Sequence, residues 1–229
     1  MTSLQKWGKS VRTTIPVMAG YLVLGAGFGI LLRTRGYGLG WALAMSAFIY
    51  AGSMQYVAID LLTGGASLLT TAVTKLLVNA RHLFYGISML ERYRAAGRYA
   101  PYLIFSLTDE TYSLVAARED LTGAECFRIS LLDQLYWVLG TALGSLAGAY
   151  LDFNTTGIDF SLTALFLTVF TEQWLETKDH APALIGLGVS IVCRLLFGAD
   201  SFLLPTMGGM LCCLLVLDAR RTKKGGESV

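Results

Sequence analysis

The sequence predicts an all-α polytopic membrane protein: a helical bundle of about six to eight transmembrane elements, among which broken or re-entrant ones are expected. Three observations carry this reading. Of the 229 residues, 54% are hydrophobic and only 15% charged, where a soluble domain carries roughly a quarter charged. Apolar runs of the length that crosses a bilayer, about 20 residues as a helix, recur from end to end. None of them alternates with the period of two that marks a membrane strand.

Eight runs follow in order: 15–32, 39–62, 66–90, 101–117, 127–151, 160–175, 181–197 and 201–217. The first, preceded by Lys6, Lys9 and Arg12, has the flanks of a signal peptide. Its length and the similar runs behind it make it a retained transmembrane helix. The loops between runs leave no room for a soluble domain, so residues 1–229 read as one membrane-embedded domain, with 1–14 and 218–229 as cytoplasmic ends. Cys126, Cys193, Cys212 and Cys213 show no CxxC spacing and read as small packing residues. A net charge of +2 gives no footprint for nucleic acid, and no zinc-ligand spacing or phosphate loop asks for a cofactor or metal.

Lysines and arginines in short loops stay cytoplasmic. Lys6, Lys9 and Arg12 therefore place the N-terminus inside, and Arg220, Arg221, Lys223 and Lys224 place the C-terminus there too. Eight full crossings would put Arg92, Arg94 and Arg98 outside. The conflict disappears if one element within 39–90 and the element 101–117 are broken or re-entrant, leaving six crossings; seven is the other count.

Glycines at Gly25-x-x-x-Gly29 and Gly140-x-x-x-Gly144-x-x-x-Gly148 give flat faces for close helix packing. Ser53-Met-Gln55-Tyr56 and Thr171-Glu-Gln173-Trp174 share a spacing late in the second element of each half. Such matches raise an internal repeat, a common transporter plan.

The polar residues inside the apolar runs are the candidate site. On a continuous helix Lys75, Asn79, His82 and Gly86 form one stripe, beside the pair Arg81 and Tyr85. Charge at the bilayer centre costs about 2.5 to 3.5 kcal/mol on insertion scales, so the stripe should face the bundle interior. Asp109 and Glu110 are adjacent, hence about 100° apart on a helix: one should face Arg81 or His82, the other a second group. Gly52 and Ser53 allow local unwinding before Gln55 and Tyr56, which would offer backbone groups to a ligand. The plainer alternatives are snorkelling for Lys75, an ion pair for the acids, and cross-helix bonds for Ser53 and Gln55. For Glu172 and Trp174 the membrane surface is the expected place.

The runs "AGSMQYVA", "NARHLFYG", "DETYSLV", "GTALGSLAG" and "DFSLTALFL", in this order, resemble the AzlC family, the large subunit of bacterial branched-chain amino acid exporters. The resemblance runs from about Pro16 to Leu217 and departs mildly at Met54 and Tyr56. It implies a protein of the cytoplasmic membrane that works with a small hydrophobic subunit of the AzlD type. It also implies export of leucine, isoleucine, valine and sometimes methionine, driven by protons. An aliphatic zwitterion needs donors for its carboxylate, acceptors for its ammonium and an apolar wall. Arg81, Asn79 or backbone near Ser53 suit the first, Asp109 or Gln55 the second, and Tyr56, Phe84 and Tyr85 the third. His82, Asp109 and Glu110 are the candidates for proton coupling. The rival readings are an intramembrane enzyme and a metal or cation carrier built on His82, Asp109 and Glu110.

Overall fold

A computed structural model describes residues 3–118, 120–150, 160, 163–164, 167, 170–171, 174–175 and 178–226. The chain divides into two compact units, Met1–Leu162 and Thr163–Val229. Among the described residues there is no strand.

Two long helices frame the first unit: α1 (Ser3–Thr34) and, late in the unit, α8 (Gly123–Tyr150). They lie side by side and run in the same direction. Arg128 Nε donates to Ser10 Oγ (3.4 Å) near their starts, Thr14 meets Tyr136 at 3.2 Å, and Gly148 lies against Ile30 and Arg33 near their ends. The glycine motifs allow this approach, because they face each other. A Cβ on Gly25 would stand 2.8 Å from Trp137 O and one on Gly140 2.7 Å from Leu22 O, while Gly29 and Gly144 lie still closer to Thr141 O and Ala26 O. Side chains at these positions would force the backbones apart.

Each of the three apolar elements between α1 and α8 is interrupted. The first comprises α2 (Leu39–Phe48) and α3 (Gly52–Thr63). Its break is held by Tyr50, at φ 42 the one non-glycine residue at positive φ among those described, a conformation that costs roughly 1–3 kcal/mol and persists only where packing imposes it. Burial of the Tyr50 ring, 4% exposed, supplies that packing. α2 starts beside Arg33 and descends to mid-length of α8, where Ser46 donates to Thr141 Oγ1 (2.9 Å) and Gly52 lies on Trp137. α3 then turns back, Tyr56 donating to Leu24 O at 2.7 Å with its ring against Phe28. The pair is a re-entrant hairpin entering from the end of the unit where α1 finishes.

The second element, α4 (Leu68–Val78) and α5 (Arg81–Ala95), is interrupted at Asn79–Ala80. Hydrogen bonding there switches from Asn79 N→Lys75 O to the tighter His82 N→Asn79 O and Leu83 N→Ala80 O. After a 3₁₀ turn (Gly97–Tyr99) come α6 (Ala100–Phe105) and α7 (Asp109–Ala116), a second hairpin of opposite sense. It starts where Tyr99 packs on Phe127 (5.1 Å) and reaches mid-depth where Thr108 meets Tyr21 at 2.7 Å. It then returns to Arg92 of α5, which donates to Val115 O (2.6 Å) and Arg118 O. That cation adds charge-assisted hydrogen bonds to two carbonyls at the end of α7, where the helix dipole favours positive charge.

The arginine corner thus stands beside the starts of α1 and α8: Ala96 packs on Gly123, a turn and a half from Arg128 and its partner Ser10. Residues 101–117 thus return to the end of the unit that they left.

In the second unit, α9 (Ala181–Ser201) and α10 (Leu203–Gly226) pack together, with Gly209 against Val189. Gly198, at φ 76, interrupts α9. Among the described residues Leu4–Thr34 and Ala181–Gly198 are long and apolar enough to cross a membrane.

Candidate functional site

The starts of α3, α5 and α7 meet inside the first unit. Arg81, first residue of α5, donates from Nη2 to Ser53 Oγ at 2.8 Å and pairs with Asp109 Oδ2 at 2.8 Å. Ser53 is the second residue of α3 and Asp109 the first of α7, so one guanidinium joins all three starts. The starts of α3 and α7 leave backbone N–H groups unbonded and carry partial positive charge, which Asp109 complements. Thr108 caps α7, its Oγ1 accepting from Thr111 N at 3.3 Å. The side chains of Arg81 and Asp109 are 30% and 27% exposed, so the pair remains open to a ligand.

Beside this junction lies a cavity of about 460 Å³ whose wall is mainly apolar, including Ile49, Tyr50, Ile104 and Phe105, with Asn79, His82 and Arg94 among its polar members. Asn79 Oδ1 is buried without a hydrogen-bond partner among the described residues. His82 Nδ1 faces Asn79 O at 3.3 Å, and its ring meets Tyr85, which stacks on Tyr112 at 4.4 Å. The expected stripe holds for Asn79, His82 and Gly86, which line one wall. It fails for Lys75, which is exposed on α4, because the element is not one continuous helix.

The two adjacent carboxylates occupy different environments, as their positions on a helix require. Asp109 pairs with Arg81; Glu110 Oε2 accepts from Tyr21 Oη at 2.7 Å. Gln55 and Tyr56 are both turned into packing. Gln55, fully buried, donates to Ser46 Oγ (3.1 Å) and accepts from Trp137 Nε1 (2.9 Å), and Tyr56 is bonded to α1. Phe84 is exposed. Trp174 stacks on His180 at 4.1 Å within the second unit, and Glu172 and Gln173 lie outside the described residues. Among the described residues no three His, Cys, Asp or Glu side chains are grouped to hold a metal ion.

Two members of the centre escape the sequence reading. Asp133 of α8 is fully buried and accepts from Thr111 Oγ1 at 2.8 Å; Tyr21 of α1, 4% exposed, joins Glu110 to Thr108. A lone acid in an apolar run is a signal in its own right, and Asp133 carried it.

Broken helices whose starts converge on a polar centre beside an apolar cavity, within an all-helical frame, define a membrane protein built around a solute-sized site. The model of the AzlC protein family matches residues 16–151, and the chain belongs to that family. It is 45% identical over 209 residues, 89% of this chain and 82% of the relative, to the branched-chain amino acid transport protein AzlC of Bacillus subtilis (strain 168). An uncharacterized membrane protein of Helicobacter pylori (strain ATCC 700392 / 26695) is 42% identical, over 89% of this chain and 91% of its own. The inner membrane protein YgaZ of Escherichia coli (strain K12) is 26% identical, over 90% and 87%. No solved structure matches the chain.

Proposed function

We propose that this chain is the large subunit of a secondary transporter that exports leucine, isoleucine, valine and methionine across the bacterial cytoplasmic membrane, coupled to protons. The observation that carries the reading is the Arg81–Asp109 pair at the junction of three helix starts, in a chain related to a branched-chain amino acid transport protein. A zwitterionic amino acid presents the complement of that pair. Its carboxylate takes Arg81 and the open N–H groups before Ser53, its ammonium takes Asp109 and the buried Asn79 Oδ1, and its side chain enters the apolar-walled cavity. A volume of about 460 Å³ falls within the range of small-ligand sites, roughly 300–1,000 Å³. Gln55 and Tyr56 act one step removed, fixing α3 against α8 and α1.

In this reading α1, α4–α5 and α8 cross the membrane while the two hairpins return, so the basic residues at the start of α1 and the arginine corner share the cytoplasmic side. The exposed apolar residues Leu83, Phe84 and Ile87 of α5 face lipid or the small AzlD-type subunit.

The test is efflux of labelled leucine from proteoliposomes holding this chain, with and without a co-expressed small subunit, under an imposed pH gradient. Gradient-driven efflux that needs the partner is expected. Absence of leucine movement in both preparations, with folded protein, would overturn the substrate and its coupling together.

A further inference from the structure

The acids Glu110 and Asp133 lie on different elements, yet an unbroken line of hydroxyl groups joins them. Glu110 Oε2 contacts Tyr21 Oη at 2.7 Å, Tyr21 Oη contacts Thr108 Oγ1 at 2.7 Å, Thr108 Oγ1 contacts Thr111 Oγ1 at 3.1 Å, and Thr111 Oγ1 contacts Asp133 Oδ2 at 2.8 Å. All four separations lie in or close to the range of O–H···O hydrogen bonds. The line is buried from Tyr21 to Asp133: Thr108, Thr111, Tyr21 and Asp133 are each 7% exposed or less, while Glu110 is partly exposed.

Counting protons gives the consequence. Each contact needs one, and Tyr21, Thr108 and Thr111 bring one each, three for four contacts. With both carboxyl groups ionised, Tyr21 donates to Glu110 and Thr111 to Asp133. The single proton of Thr108 then serves either Tyr21 or Thr111, and the other contact sets two oxygen lone pairs against each other in a buried place. One further proton, carried by either acid, completes the line. On Glu110 it sets every hydroxyl pointing toward Asp133; on Asp133 it sets every hydroxyl pointing toward Glu110. The N–H of Thr111, which also reaches Thr108 Oγ1, fits both arrangements, because a hydroxyl oxygen accepts two bonds while donating one.

We propose that Glu110 and Asp133 share a single proton through Tyr21, Thr108 and Thr111, and that this line, not the Arg81–Asp109 pair, holds the proton that couples transport. Moving the proton from one acid to the other turns three hydroxyl groups and changes no net charge in the centre. The ends of the line differ in what they face. Glu110 neighbours Asp109 and Arg81 of the open junction and Tyr50 of the α2–α3 break, whereas Asp133 neighbours Tyr50, Tyr102 and Glu110 itself. Tyr50 Oη is buried without a hydrogen-bond partner among the described residues, and a proton that it donated to Tyr21 would be its own and would leave the deficit unchanged. Solute bound at Arg81 and Asp109 changes the field at Glu110 and so shifts the shared proton toward or away from it; this coupling role rests on the transport reading.

Infrared spectroscopy of reconstituted protein in H₂O and D₂O tests the proton count without any substrate. The wild type should show one protonated-carboxyl band at neutral pH, insensitive to sodium. Glu110→Gln and Asp133→Asn should each abolish it, because either amide supplies the missing N–H and leaves the remaining acid ionised; Asp60→Asn, on the exposed part of α3, should not. A wild type without the band, a band that survives either single amide substitution, or a band removed by sodium overturns the proposal. Since the readout needs no transport, it separates failure of this proposal from failure of the substrate assignment.

Discussion

Arg81 and Asp109 meet at 2.8 Å across the starts of α5 and α7, each the first residue of its helix. Neither helix would present its start to the interior without the interruptions at Asn79–Ala80 and Ser106–Thr108. The pair is therefore a product of the breaks, and the breaks expose the backbone groups that make the centre polar.

Arg81→Gln should weaken leucine binding and leave the fold intact. Losing one partner of a hydrogen-bonded charge pair costs roughly 2–5 kcal/mol when buried; at 30% exposure the low end applies, about 2 kcal/mol or roughly thirtyfold in Kd. Arg81→Lys should recover only part of this, since an ammonium cannot hold Ser53 and Asp109 in one planar fork. Calorimetric titration of leucine into purified protein reads both effects, and unchanged affinity in Arg81→Gln would remove Arg81 from the site.

The glycine faces predict a contrast within one pair of helices. Gly144→Ala should destabilise strongly, because its Cβ would overlap Ala26, whereas Gly20→Ala on α1 meets nothing within 4 Å. Overpacking typically costs about 1–3 kcal/mol, and backbone against backbone belongs at the upper end, while Ala for Gly in an open helix position gains roughly 0.5–1 kcal/mol. Thermal unfolding in detergent should therefore move in opposite directions for the two variants. Equal shifts would mean that α1 and α8 do not cross at these glycines.

Much of this was legible in residue spacing. Adjacent acids cannot share a helix face, which separates Asp109 from Glu110. The charge bias of Arg92, Arg94 and Arg98 asks for broken or re-entrant elements within 39–90 and at 101–117, and the helices there are interrupted. The glycine motifs mark a close crossing, although their facing each other follows only from the fold. What stayed hidden depends on contacts distant in sequence. Thr111 and Asp133 are 22 positions apart and Tyr21 and Glu110 are 89 apart, so no local pattern announces the line between them. Gln55 and Tyr56 sit next to the unwound stretch and look like ligand groups, yet Trp137, Ser46 and Leu24 occupy their polar atoms.

Arg92→Gln should loosen α7. Hydrogen bonds to a charged group contribute about 1.5–3 kcal/mol, and this guanidinium binds the carbonyls of Val115 and Arg118 at the end of α7. Hydrogen exchange should rise across α7 while α1 and α8 stay protected. Exchange unchanged in α7 would show that its end is held by the hairpin's other contacts.

The start of α8 gives a pH-dependent prediction away from the centre. Thr122 and Glu125 form a reciprocal cap: Glu125 N donates to Thr122 Oγ1 at 3.3 Å, and Glu125 Oε2 accepts from Thr122 N at 2.9 Å and from its hydroxyl at 2.7 Å. The bonds from Thr122 hold the Glu125 carboxyl below its usual range. A carboxyl lowered in the folded state binds its proton more readily when unfolded, so its contribution is present above the unfolded value and is lost as pH falls through the folded one. Thr122→Ala should cost about 1 kcal/mol at neutral pH, and the difference from wild type should shrink in acid. Denaturation midpoints of the two proteins, taken from neutral pH down to the carboxylate range, check the sign. A gap that widens in acid would mean that Glu125 does not supply the cap.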